Sequence, residues 1–296
     1  MSQYSSKWIQ VSEPSPRVLL VELARTPVNA FCVELWEAYS RLFDTLEEDA
    51  YDVRALVLAS AFPKYFTAGL DLKDSSSLGS TSTIDAARTA LAKRKYILAF
   101  QKALCAPERA AFPVIVALHG HIIGVGVDMI GGCDVRMAAE NAVFSIKEVD
   151  IGFAPGLGTL AFLQKITSNM SLVRELTYTA RNFSAREALD IGLVSRVVPG
   201  GRNEVVQAAL NLAEVIASKS PVAAVGVKEL LRHSRDNSVA DNLAYTAMWN
   251  GVALRTRDME DIINAKLQGK KGTESQIPFA PLVSRAPNCV NSGPKL

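Results

Sequence analysis

The chain has 296 residues, 49% hydrophobic and 21% charged, enough apolar side chain for one large domain with an appendage. A formal net charge of +2 is too small to mark a nucleic-acid or membrane surface, so no nucleic-acid partner is expected. Cys32, Cys105, Cys133 and Cys289 have no CxxC spacing, and His119, His121 and His233 add no metal-ligand pattern, so free thiols in a reducing compartment and no metal are expected. No apolar run approaches the length of a membrane span, and the N-terminus lacks the apolar stretch of a signal peptide.

In chain order, residues 7–11 and 17–23 read as strands around the turn Glu13-Pro-Ser-Pro16. Between 33 and 48, Leu35, Trp36, Tyr39, Leu42, Phe43 and Leu46 recur at helical spacing among acids, which predicts an amphipathic helix. Residues 53–60 form a buried strand that runs into a turn-bearing segment, 61–72. A Ser/Gly/Thr linker over 75–83 leads to a helical pattern from 84 to 106, closed by Pro107. Residues 114–118 are an unbroken apolar strand; glycines follow at 120, 124 and 126, and Asp128 sits in the first turn of a helix. Strands at 134–138 and 142–146 precede a loop over 147–158.

Beyond residue 160 the strands nearly vanish. Helices are predicted over 171–179, 184–191, 203–218, 221–234, 239–254 and 258–267, interrupted by one strand at 194–198. Strands alternating with helices over short loops place the chain in the α/β class. The composition shift near Ser218-Lys-Ser-Pro221 divides it into a core, 1–218, a helical region, 219–280, and a Pro/Ser/Asn-rich tail, 281–296. The tail ends in Pro294-Lys295-Leu296, which resembles the Ser-Lys-Leu tripeptide read by a peroxisomal import receptor.

A strand feeding a glycine-rich turn at a helix N-terminus can hold either a phosphate or an oxyanion. A dinucleotide fingerprint needs a third glycine, but Gly124-Val-Gly126 is followed by Met129 at that position, so the fingerprint is broken. An oxyanion hole instead needs two backbone N–H groups aimed at one point. Two turns can supply them: Phe66-Thr-Ala-Gly-Leu-Asp71 and Gly124-Val-Gly-Val-Asp128. Asp128 suits the helix dipole, and Glu148 reads equally as a solvated loop acid. If both face one pocket, burial and mutual repulsion make them an acid/base pair.

The segments Phe66–Asp71, His119–Asp128, Cys133-Asp134 and Glu148–Gly156 resemble the enoyl-CoA hydratase/isomerase (crotonase) superfamily along most of the chain. Phe144–Asp150, Ser171–Thr177, Glu187–Arg196, Ser234–Ser238 and Met248-Trp-Asn250 are most similar to its dienoyl-CoA isomerases. The resemblance implies a spiral of β-β-α turns with C-terminal helices that assemble a homotrimer or hexamer. It implies an oxyanion hole at the N–H groups of Ala68 and Val125, catalytic carboxyls at Asp128 and Glu148, and coenzyme A contacts from Ala68, Leu70, Asp71 and Lys266. The family's further acid, eight residues past the Glu, falls on Gly156. The implied activity is the isomerisation of 3,5-dienoyl-CoA to 2,4-dienoyl-CoA in fatty-acid β-oxidation, with acyl-CoA as substrate and no cofactor; the Pro294-Lys295-Leu296 ending adds the expectation of a peroxisomal location. The alternatives are a 3-enoyl-CoA to 2-enoyl-CoA isomerase, a 2-enoyl-CoA hydratase, a non-catalytic acyl-CoA- or RNA-binding protein of this fold, and a mitochondrial or cytoplasmic location.

Overall fold

The computed structural model describes residues 1–49, 52–73, 85–267 and 277–282. Apolar runs without alternation become strands buried on both faces, as parallel strands are. They build a six-stranded sheet in the order β1 (Ile9–Ser15), β2 (Val18–Leu23), β3 (Ala55–Ser60), β5 (Val114–Leu118), β7 (Val135–Ala139) and β10 (Arg196–Val198). Only the β1–β2 pair is antiparallel. On one face, Val57, Ile115, Ala117 and Met137 pack against Val205, Val206, Ala209 and Ala213 of a helix over 202–217. On the other, Leu56, Leu58, Val116 and Leu118 join the main core with Leu35, Tyr39 and Phe43 of the helix predicted at 33–48.

A second sheet carries the short strands β4 (Tyr65–Thr67), β6 (His121–Ile123), β8 (Val143–Ser145) and β9 (Phe183–Ser184), in that order, the first three parallel. The helices are α1 (Val33–Glu48), α2 (Ala86–Leu104), α3 (Ala106–Arg109), α4 (Val125–Ile130), α5 (Thr159–Ile166), α6 (Met170–Thr179), α7 (Ala185–Asp190), α8 (Arg202–Ala217), α9 (Pro221–Asp236), α10 (Val239–Ala253) and α11 (Arg257–Leu267). Each turn of the chain thus lays one long strand in the first sheet, one short strand in the second, and then a helix: β3-β4-α2, β5-β6-α4, β7-β8-α5. This is the β-β-α spiral.

Several boundaries differ from the sequence expectation. The first strand runs on through Pro14 to Ser15, and the reversal falls at Pro16-Arg17, where Arg17 is left-handed (φ 69°). Pro tolerates this edge strand because its missing N–H is not needed by a neighbour. Pro107 does not end the second helical pattern; it sits in the first turn of α3, where a missing N–H costs nothing. The short elements β4, β6, β9 and α5 were not predicted, since two to eight residues hold too few positions to show a period. The linker at 75–83, Cys289 and Pro294-Lys295-Leu296 lie outside the described residues.

At the start of the helical region, α9 is tied to the core by Lys228, whose ammonium donates to the carbonyls of Pro107 (2.6 Å) and Phe112 (2.9 Å) and to Asp134 (2.8 Å). In contrast, α10 buries no residue at all. Among the described residues no single helix is long and apolar enough to cross a membrane.

Candidate active site

The three parallel strands of the second sheet deliver the predicted segments side by side. Ala68-Gly-Leu70 leaves β4, Gly124–Asp128 leaves β6, and Glu148 follows β8 as the first residue of a 3-10 turn, Glu148–Ile151. The carboxyl ends of parallel strands are where open α/β sheets place ligands. Between these segments lies a cleft of about 130 Å³, lined by Ala68, Leu70, Val125, Asp128, Glu148 and Gly156 among others. A larger cavity of about 570 Å³, under α9 at the opposite ends of β5 and β7, contains none of the predicted site residues.

The turns are in contact. A Cβ on Gly69 (φ 90°) would stand 2.9 Å from the Ile123 carbonyl oxygen, and one on Gly124 (φ 50°) would stand 3.4 Å from Glu148 Oε1. Gly69 therefore needs glycine for backbone angle and for space, and Gly124 for backbone angle. Val125 is the first residue of α4; it carries no positive φ and its side chain is buried in the core. Its N–H is one of the donors that a helix start leaves without an internal partner.

One expectation is corrected here. The Ala68 N–H points away from the cleft and donates to the Val28 carbonyl (2.9 Å), so it is not available to a ligand. The Leu70 N–H, two residues on, has no hydrogen-bond partner among the described residues. Asp71 turns from the cleft to Arg25, forming an ion pair at 2.7 Å, and Lys266, in the last turn of α11, is not among the residues lining it.

The acids do meet one cleft. Asp128 and Glu148 are 2% and 5% exposed, and Asp128 Oδ2 and Glu148 Oε2 are buried with no hydrogen-bond partner among the described residues. Burial is the main cause that pushes the Glu148 carboxyl up to about 7, and the Asp128 charge adds to it. Burial likewise raises the Asp128 carboxyl, opposed by Thr159, whose N–H and hydroxyl both donate to Asp128 Oδ1 at 2.7 Å. Thr159 went unnoticed in the sequence, although a threonine after Gly158 at a helix start is a recognisable signal. At Gly156 there is no acid, and a Cβ there would meet only the Ala154 carbonyl, at 3.7 Å.

Residues 13–266 match the sequence family described as enoyl-CoA hydratase/isomerase. The chain belongs to this family. It is 43% identical to the mitochondrial Delta(3,5)-Delta(2,4)-dienoyl-CoA isomerase of Mus musculus, over 95% of this chain and 85% of that protein. It is 38% identical to the peroxisomal Delta(3,5)-Delta(2,4)-dienoyl-CoA isomerase of Arabidopsis thaliana, over 82% of this chain and 87% of the relative. Among solved structures, the enoyl-CoA hydratase from Bacillus anthracis superposes with a TM-score of 0.78 at 26% identity, covering 94% of this chain and 99% of that one.

The raised Glu148 carboxyl has a consequence for stability. A carboxyl whose folded value lies above its unfolded one stabilises the fold while protonated, below about 4.5, and that contribution is lost as pH rises through about 7. Replacing Glu148 by Gln removes the cost of ionising it, which is on the order of 3 kcal/mol. Thermal melts at pH 5 and pH 8 test this: the Glu148→Gln variant should gain Tm relative to the parent at pH 8 and gain little at pH 5. A difference that does not change with pH contradicts the account.

Proposed function

We propose that this enzyme isomerises 3,5-dienoyl-CoA to 2,4-dienoyl-CoA in fatty-acid β-oxidation. The observation that carries the reading is the pair of buried carboxyls, each with a partnerless oxygen on one cleft beside two unclaimed backbone N–H groups. The thioester oxygen accepts from the Leu70 and Val125 N–H groups, with Leu70 taking the place expected of Ala68. These donors stabilise negative charge as it develops on that oxygen, each contributing ~3 kcal/mol in comparable sites. Glu148 removes a proton from C2, and the charge spreads along the conjugated chain as a dienolate. One proton enters the carboxyl pair at C2 and one leaves it at C6, so the pair returns to its starting charge. A carboxyl near 7 suits both halves of that exchange. The reaction needs no cofactor, since acyl-CoA supplies the acidic carbon and the carboxyls move the proton.

Gly156 favours a second reading, a 3-enoyl-CoA to 2-enoyl-CoA isomerase, because a shorter proton shift needs only Glu148. Substrate panels separate the two. The purified protein given a 3,5-dienoyl-CoA should generate the ultraviolet absorbance of a 2,4-dienoyl thioester, and Glu148→Gln should lower kcat roughly 10³-fold. Turnover confined to 3-enoyl-CoA would replace the first reading by the second, and near-normal turnover by the variant would remove Glu148 from the mechanism.

We also propose that α10 is the centre of a homotrimer, or of a hexamer made of two. Val239, Leu243, Met248 and Val252 on this helix are all more than 60% exposed, and so many large apolar side chains on one helix are normally covered. Sedimentation should give three or six times the chain mass, and Leu243→Asp with Met248→Asp should release smaller species. A monomeric parent protein would refute the assembly.

The location is read as peroxisomal from the Pro294-Lys295-Leu296 ending. The relatives named above are mitochondrial and peroxisomal. A fluorescent reporter carrying residues 281–296 should enter peroxisomes and lose that location when Leu296 is deleted. A diffuse reporter, or one unaffected by the deletion, rejects the signal.

A further inference from the structure

We propose that Thr67 is the positioning residue of the thioester site, a single side chain that sets both backbone donors. This rests on the acyl-CoA reading above. Thr67 is the last residue of β4 and is fully buried. Its hydroxyl donates to the Asn29 carbonyl at 2.6 Å and accepts the Gly69 N–H at 3.0 Å, in the peptide immediately before Leu70. The Asn29 carbonyl is a fixed post. Asn29 is 0% exposed and left-handed (φ 52°), and its side-chain amide donates to the Leu23 carbonyl (3.1 Å), Ser60 Oγ (2.8 Å) and the Phe66 carbonyl (3.0 Å). The hydroxyl therefore ties the Leu70 turn to the body of the protein.

The methyl group of the same residue faces the other turn. A Cβ on Gly126 would come within 2.6 Å of Thr67 Cγ2, so the first turn of α4, which carries the Val125 N–H, rests directly against that methyl. Hydroxyl and methyl share one Cβ, and a β-branched side chain has few χ1 choices. One rotamer thus sets the position of both donors. The requirement is strict because a donor stabilises an oxyanion only when it lies about 2.7–3.1 Å from it. The role also separates cleanly by substitution: Val keeps the methyl and loses the hydroxyl, while Ser keeps the hydroxyl and loses the methyl.

The test uses the full-length protein with 2,4-dienoyl-CoA as a bound chromophore, because donors that polarise the thioester carbonyl shift its absorbance to the red. In Thr67→Val the red shift should fall by about half and kcat roughly 30-fold with KM little changed, less than the 10²–10³-fold typical of deleting a donor outright. Thr67→Ser, which keeps the tie to Asn29 but frees the α4 turn from the methyl, should lose a smaller part of the shift and roughly fivefold to tenfold in kcat, and a Ser variant indistinguishable from the parent would remove the methyl's part of the role. If Thr67→Val retains the parent's shift and kcat, or if both variants lose rate only in proportion to Tm with the shift unchanged, Thr67 is structural and the proposal fails. A parent protein that neither turns over a 3,5-dienoyl-CoA nor shifts the bound product fails the acyl-CoA reading itself, and the Thr67 role with it.

Discussion

The parallel ladder of β4, β6 and β8 is the constraint on which the rest depends. Backbone pairing sets Thr67 beside Ile122 and Ile122 beside Phe144, so the three strands end within one residue of the same level. The three segments that leave them have no choice but to meet. Strands of this sheet lie about 4.8 Å apart, closer than side chains on adjacent turns would permit. Gly69 occurs where a Cβ would strike the Ile123 carbonyl, and Gly124 where the backbone is left-handed. The ladder in turn is held against the main sheet by Phe66, Ile122 and Phe144, all fully buried in the common core. Packing energy from the core is thus converted into the placement of a few peptide groups.

That placement concentrates electrostatic cost. Two carboxyls in contact with one small cleft are expensive to ionise together, and among the described residues neither has a basic side chain on it: Lys147, also at the cleft, is turned to Asp150 (3.0 Å) and the Ala180 carbonyl (2.8 Å). Thr159 relieves the cost at Asp128 alone, by two hydrogen bonds to one oxygen. The asymmetry gives the two acids different proton affinities in one site. It is the general route by which a fold produces an acid and a base from the same residue type.

Much of this was legible before folding. The glycine turn, the Asp128 and Glu148 pair, the absence of a dinucleotide fingerprint and the long apolar strands all follow from residue type and spacing. Register was not legible. The choice between Ala68 and Leu70 as donor depends on which peptide faces the cleft, and that is decided by the Val28 carbonyl, which lies some forty residues earlier in the chain and captures the Ala68 N–H. Likewise β4 and β6 are three residues each, set off by glycines or turns, and exist because neighbours pair with them rather than because of any local preference.

By itself, then, the sequence determined the class of fold, the chemical groups available and the need for glycine near the site, since these rest on local backbone energetics and on hydrophobic period. Tertiary structure alone decided which N–H groups remain unclaimed, that Thr159 answers to Asp128, and that the hydroxyl and methyl of Thr67 each touch a different turn. The physical reason is that a hydrogen bond or a close approach is a property of two positions. A local pattern can name a donor, but only the folded chain shows whether something else has already taken it.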